Sequence, residues 1–123
     1  MSGEPPKIPK GCIILAWFPY TDFSEEKLRP ALVLYEGYLD VTVAYISGQI
    51  PAKLLPSDLL ILSGTSSYRS AGLKETSVLS IDKIVILDKT KTEGIMGVAD
   101  DDLKREVNAK ITQCLMFDDG LDD

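Results

Sequence analysis

The chain has 123 residues, 45% of them hydrophobic and 26% charged, with a net charge of −6 and no histidine. That length holds one sizeable core and not two, and the composition is that of an ordinary globular domain, not a disordered or fibrous chain. No apolar run reaches the roughly 18 to 20 residues of a membrane-spanning helix, and the missing histidine excludes histidine-based triads, histidine-paired nucleophiles and the usual zinc sites.

Residues 1–9 hold three prolines, a glycine and a glutamate with little to bury, which predicts a loose arm before a domain over 10–117. The first apolar run, Cys12 to Phe18, follows Lys7 and Lys10 as a secretion signal would. It is short, however, and enters Pro19-Tyr20-Thr21-Asp22 with no small-residue cleavage site, so the expected location is the cytoplasm. Further runs follow at Ala31 to Tyr35, Val41 to Ile46, Leu59 to Leu62, Ser77 to Ile81 and Ile84 to Leu87. Short runs rich in Val and Ile, bounded by Gly, Pro and Asp, predict strands, and about six of them suggest a small sandwich or barrel.

Glu36-Gly37 signals a hairpin between the second and third runs, because glycine tolerates the positive φ of a tight turn. Ser63 to Thr76, rich in Ser and Gly, reads as a long surface loop. At the end, Leu103, Val107, Ile111 and Cys114 or Leu115 recur every three or four residues, the spacing of one amphipathic helix. Asp100, Asp101 and Asp102 stand where a helix start wants a cap and negative charge, a better reading than a metal site. Residues 118–123 follow as an acidic tail. Cys12 and Cys114 have no metal or redox spacing and read as reduced core residues, while Lys89 and Lys91 read as solvated surface charge.

Charge is unevenly spread. Residues 1–91 carry 10 Lys or Arg against 10 Asp or Glu, and residues 92–123 carry 3 against 9. The acidity that argues against nucleic-acid binding therefore belongs to the C-terminal end.

The segment from Phe18 to Pro30 is too long for a tight hairpin, and long loops on small barrels tend to carry function. It ends in Arg29-Pro30, where the proline biases Arg29 to extended backbone and suits the first position of a strand. A surface arginine beside a loop-ending proline is the competing reading. A two-residue turn at Glu36-Gly37 puts Arg29 opposite Ala44, and one at Gly37-Tyr38 puts it opposite Ile46. Either register brings Ser47 within about 10 Å of Arg29. A cation and a hydroxyl at one end of a sheet can hold a phosphodiester, the guanidinium through two charge-assisted hydrogen bonds. Tyr20 and Phe23 in the open loop are candidates for base stacking, whereas Trp17, inside the first run, reads as a core or dimer-contact side chain.

Lys10-Gly11-Cys12-Ile13, Phe18-Pro19-Tyr20-Thr21-Asp22, Lys27-Leu28-Arg29-Pro30-Ala31-Leu32-Val33-Leu34, Ala44-Tyr45-Ile46-Ser47, Gly72-Leu73, Ser77-Val78-Leu79, Ile81-Asp82-Lys83-Ile84 and Gly94-Ile95-Met96-Gly97 together resemble the MazF/PemK toxin family in order and spacing. The resemblance spans nearly all of residues 10–117. It implies a mostly β, α+β fold, an SH3-like small β-barrel with a C-terminal helix. It implies a homodimer whose groove takes single-stranded RNA or an antitoxin segment, with no metal or other cofactor and no membrane.

By the same resemblance Arg29 and Ser47 act at the scissile phosphate, and Glu25, or equally Glu26, matches an acidic loop residue. Asp82 matches the aspartate after the fifth strand. Tyr20, Thr21, Phe23, Lys27 and Gln49 are the matching candidates for RNA contact. The implied activity is endoribonuclease cleavage by the ribose 2′-OH, leaving a 2′,3′-cyclic phosphate. Cys12 stands where the family usually has Asp, and Ser80 where some members carry Arg. An inactive or weakened binding barrel, or a toxin against a protein target such as a gyrase, is the alternative.

Overall fold

The apolar runs become strands of one antiparallel sheet, seen in a computed structural model that describes residues 3–19 and 26–118. In chain order the strands are β1 (Cys12–Pro19), β2 (Glu26–Glu36), β3 (Asp40–Ser47), β4 (Asp58–Ile61), β5 (Ser77–Asp88) and β6 (Thr92–Val98). Side by side they stand β4-β5-β3-β2-β1-β6, with every neighbour antiparallel. Among the described residues two α-helices, α1 (Ser66–Ala71) and α2 (Asp101–Cys114), and a 3-10 turn at Lys89–Lys91 complete the mostly β, α+β fold that the resemblance implied.

Alternation along the strands sends successive residues to opposite faces, and here both faces are buried. Ile13, Leu32, Ala44, Ile46, Leu79 and Ile81 pack with Leu103 and Val107 of α2. Their neighbours Ile14, Ala31, Val33 and Val43 pack on the other side with Cys12, Phe18, Leu87 and Ile8. Ile13 and Ile14 are both fully enclosed, each side chain contributing roughly 1.5–3 kcal/mol relative to exposure. Two-sided burial is why Ala31 to Leu34 reads as a continuous apolar run instead of an alternating one.

The helix predicted from the 100–115 periodicity is present, capped by Asp100, whose Oδ1 accepts the Leu103 N–H at 2.9 Å. Cys114 lies at the end of this helix, half-buried and outside the core clusters. Asp100 also accepts from Ser67 Oγ at 2.7 Å and Ser66 Oγ at 3.1 Å, tying α2 to α1. The latter corrects the reading of Ser63 to Thr76 as irregular loop. Thr65 caps α1, its Oγ1 accepting the Tyr68 N–H at 3.2 Å, and Gly72 ends it at φ 75°. α1 covers the free edge of β6, where Ser70 Oγ donates to the Val98 carbonyl at 2.8 Å. The approach is so close that a Cβ on Gly72 would overlap the Met96 carbonyl oxygen.

Other expectations change. The runs 77–81 and 84–87 form one strand, β5, with a register shift against β3 where Tyr45 pairs Ser80 and Ala44 pairs Ile84. The sixth strand is β6, which the sequence reading left out. The β2–β3 turn is longer than two residues: Glu36 pairs Val41, and Gly37 N donates to Asp40 O at 2.8 Å. The arm over 1–9 is anchored at its inner end, for Ile8 is buried and its N–H donates to Glu36 Oε2 at 2.6 Å. Lys89 is no surface charge: only 6% exposed, it donates to the Pro6 carbonyl and to Glu36 Oε2, both at 2.9 Å. Its long apolar stem suits a buried path that ends on paired oxygens.

Candidate functional site

The site arises where two strands part. β2 pairs with β1 along residues 26–32, including Ala16 with Arg29 and Leu15 with Pro30, but its pairing with β3 begins only at Ala31, opposite Tyr45. Pro30 has no N–H to give a second neighbour. It is thus the fifth residue of β2, not the first, at the point where one side of the strand becomes open. Counting two residues outward from Ala31 and Tyr45 reaches Arg29 and Ser47, so the register aligns these two on facing walls of the gap. A bulge between Val33 and Tyr35 and the longer turn set this offset, which neither two-residue turn reproduces.

The gap is a groove of about 470 Å³, lined by Leu28, Arg29 and Pro30 of β2, by Ser47, Gly48 and Gln49 at the end of β3, and by Leu15, Leu73 to Glu75, Ser77 and Met96. Arg29 is half-buried, and its Nη1 donates to the Leu28 carbonyl at 3.3 Å. Ser47 ends β3, paired to Val78. Its Oγ accepts the Gln49 N–H at 3.0 Å, a local turn that fixes the oxygen and leaves the hydroxyl hydrogen to donate.

Among the residues expected from the sequence, Arg29, Ser47 and Gln49 line one groove. Lys27 is exposed at the start of β2, opposite Phe18, and does not line it. Asp82 stands apart on β5 in the stretch between the Ser80 and Ile84 pairings. Its Oδ1 accepts from Ser57 Oγ at 3.1 Å and its Oδ2 lies 3.9 Å from Lys83 Nζ. Tyr20, Thr21, Phe23 and Glu25 fall outside the described residues. Ser80 is buried and donates to Asp58 Oδ1 at 3.2 Å, a structural bond away from the groove lining. Trp17 is half-buried, its indole N–H donating to Glu93 Oε2 at 2.8 Å.

Two charged groove residues, Lys74 and Glu75, were not singled out from the sequence, because they lie in a stretch that read as loop with no motif. The available signal was Gly48 directly after Ser47. A Cβ there would overlap the Glu75 carboxylate, so the glycine makes room for it. The carboxylates held below their ordinary range are elsewhere: Glu36 by the Ile8 N–H and then Lys89, Asp88 by the Thr90 N–H, and Asp100 by the Leu103 N–H and then Ser67.

A family model described as PemK-like, MazF-like toxin of type II toxin–antitoxin systems matches residues 9–115. No curated protein sequence matches the chain. Among solved structures, the chain is similar to the Mycobacterium tuberculosis toxin MazF-mt6 (TM-score 0.67, 20% identity, 87% of this chain and 98% of that one). It is similar also to an endoribonuclease in complex with its cognate antitoxin from a mycobacterial species (TM-score 0.68, 14% identity, 91% and 98%). A third is the MazE-MazF structure from Deinococcus radiodurans (TM-score 0.68, 19% identity, 92% and 100%). At these identities the likeness speaks for the fold.

Proposed function

Since the chain belongs to the PemK-like, MazF-like toxin family of type II toxin–antitoxin systems, we propose that it is a metal-independent endoribonuclease acting on single-stranded RNA in the cytoplasm. The observation that carries this reading is the placement of Arg29 and Ser47 in one open groove at the splayed end of β2 and β3. Cleavage by the ribose 2′-OH needs that oxygen deprotonated, the charge on the phosphoryl oxygens stabilised, and the leaving O5′ protonated. Arg29 supplies the second requirement with paired N–H donors, and the Ser47 hydroxyl adds a third donor. Gln49 and Lys74 extend the polar lining for neighbouring nucleotides.

Tyr20, Thr21 and Phe23, in the segment that joins β1 to β2, stack on bases or contact the sugar in this reading, and Lys27 attracts the backbone beyond the groove. Glu25 on that segment and Asp82 on β5 are the carboxylates that the family pattern offers for proton transfer. A second copy of the chain extends the groove across a homodimer. The partner is an antitoxin, in keeping with the similar endoribonuclease seen in complex with its cognate antitoxin, and in this reading an extended segment of it occupies the same surface.

The test is incubation of purified protein with a long single-stranded RNA in the presence of a chelator, with mapping of the new ends. We expect discrete cuts ending in 2′,3′-cyclic phosphate, slowed at least about 100-fold by Arg29→Ala, with the variant's unfolding midpoint unchanged. Intact RNA from a folded protein would favour a binding barrel without catalysis, the reading that the acid-rich 92–123 stretch supports.

A further inference from the structure

We propose that Glu75 is the general base of the RNA cleavage, an assignment that rests on the endoribonuclease reading. The chain has no histidine, and an arginine holds its proton too tightly to accept another at neutral pH. A carboxylate is therefore the natural acceptor for the 2′-OH proton. Among the described residues Glu75 is the one carboxylate that lines the groove with Arg29 and Ser47.

Its position is specific. The carboxylate lies against the main chain at Gly48, where any Cβ would displace it, and so beside the Ser47 hydroxyl wall. Its backbone is held on the C-terminal side: Ser77 Oγ donates to the Glu75 carbonyl at 2.9 Å, and the next residue, Thr76, accepts the Ser63 N–H on its Oγ1 at 2.9 Å. The side chain itself makes no hydrogen bond or ion pair among the described residues. The carboxylates of Glu36, Asp58, Asp82, Glu93 and Asp100 are, by contrast, all engaged. An uncommitted carboxylate next to the Arg29–Ser47 pair has the chemistry of a base in waiting.

In the step this assigns, a Glu75 oxygen takes the 2′-OH proton while O2′ forms a bond to phosphorus. The P–O5′ bond breaks, its electron pair leaves on O5′, and O5′ takes a proton from water. The product keeps the 2′,3′-cyclic phosphate, and Glu75 returns its proton to solvent. Arg29 and Ser47 meanwhile donate to the non-bridging oxygens.

The experiment measures cleavage rate at saturating RNA against pH for the wild type, Glu75→Gln and Arg29→Ala, together with binding of an uncleavable 2′-deoxy oligonucleotide. Glu75→Gln keeps the shape of the side chain, so we expect binding within about threefold of wild type. The rate should fall by about 10²–10⁴, with the acid limb of the rate–pH profile gone. Cuts that Arg29→Ala abolishes but Glu75→Gln leaves at the wild-type rate and pH profile would sink Glu75 alone. A rate lost only through weakened binding, with the acid limb intact, would also overturn it and make Glu75 a structural contact. A wild type that cuts no RNA would remove the endoribonuclease reading and this assignment with it.

Discussion

Three carboxylates, Glu36, Asp88 and Asp100, each accept a backbone N–H and are held below their ordinary range by it. Their ionised forms are thus favoured in the folded chain. Their contribution to stability is fully present above the unfolded values, about 4.3 for Glu and 3.9 for Asp, and is lost as pH falls through the lower folded values. Stability should therefore be level near neutrality and decline below about pH 4, a limb that urea midpoints measured against pH will show. Glu36→Gln should flatten part of it and loosen the arm that Ile8 and Lys89 hold; an unchanged limb would contradict the Glu36 assignment. At this scale the sequence was legible where chemistry is local. Asp100 as a cap follows from three aspartates before a periodic run. The Lys89–Glu36 pair does not, because its partners lie 53 positions apart and nothing in either neighbourhood announces a buried cation.

Among the elements, strong periodicity was the reliable signal. α2 repeats apolar residues over four turns and stands as read, whereas α1 has six residues and no apolar stripe. Thr65 and Gly72 bracket α1, but a cap pair around so short a stretch is equally a turn. β6 escaped because Gly94 and Gly97 dilute its pattern. Asp82-Lys83 interrupted β5 because the strand passes from burial on both faces to exposure there. Pro30 was read as opening β2 because the β1 side of the strand, which needs no N–H from it on the open flank, leaves no mark in the sequence. Gly72 links two of these elements, at positive φ and against the Met96 carbonyl. Gly72→Ala should cost at least about 1–2 kcal/mol from the left-handed backbone alone, read as a lower urea midpoint. A neutral effect would mean that α1 and β6 separate without penalty.

For the whole molecule, the fold was readable from the order of its motifs, while the groove was readable only in part. Arg29 and Ser47 carry recognisable local strings and lie on neighbouring strands, so hairpin arithmetic brought them together. Lys74 and Glu75 enter from the far side of α1, and only the closure of β5 against β3 delivers them to Ser47. The acidic excess of the sequence lies in residues 92–123, and among the described residues of that stretch only Met96 lines the groove. Charge on the groove itself, Arg29 and Lys74 against Glu75, is balanced toward a phosphate.

The most direct test of the account is chemical. An RNA oligonucleotide spanning a mapped cut is compared with one in which the single ribose 5′ to the scissile phosphate lacks its 2′-OH. The account predicts that the substituted linkage stays intact while the oligonucleotide binds as well as its parent. Cleavage at the 2′-deoxy linkage would show that water or a protein group attacks the phosphorus, and would contradict it.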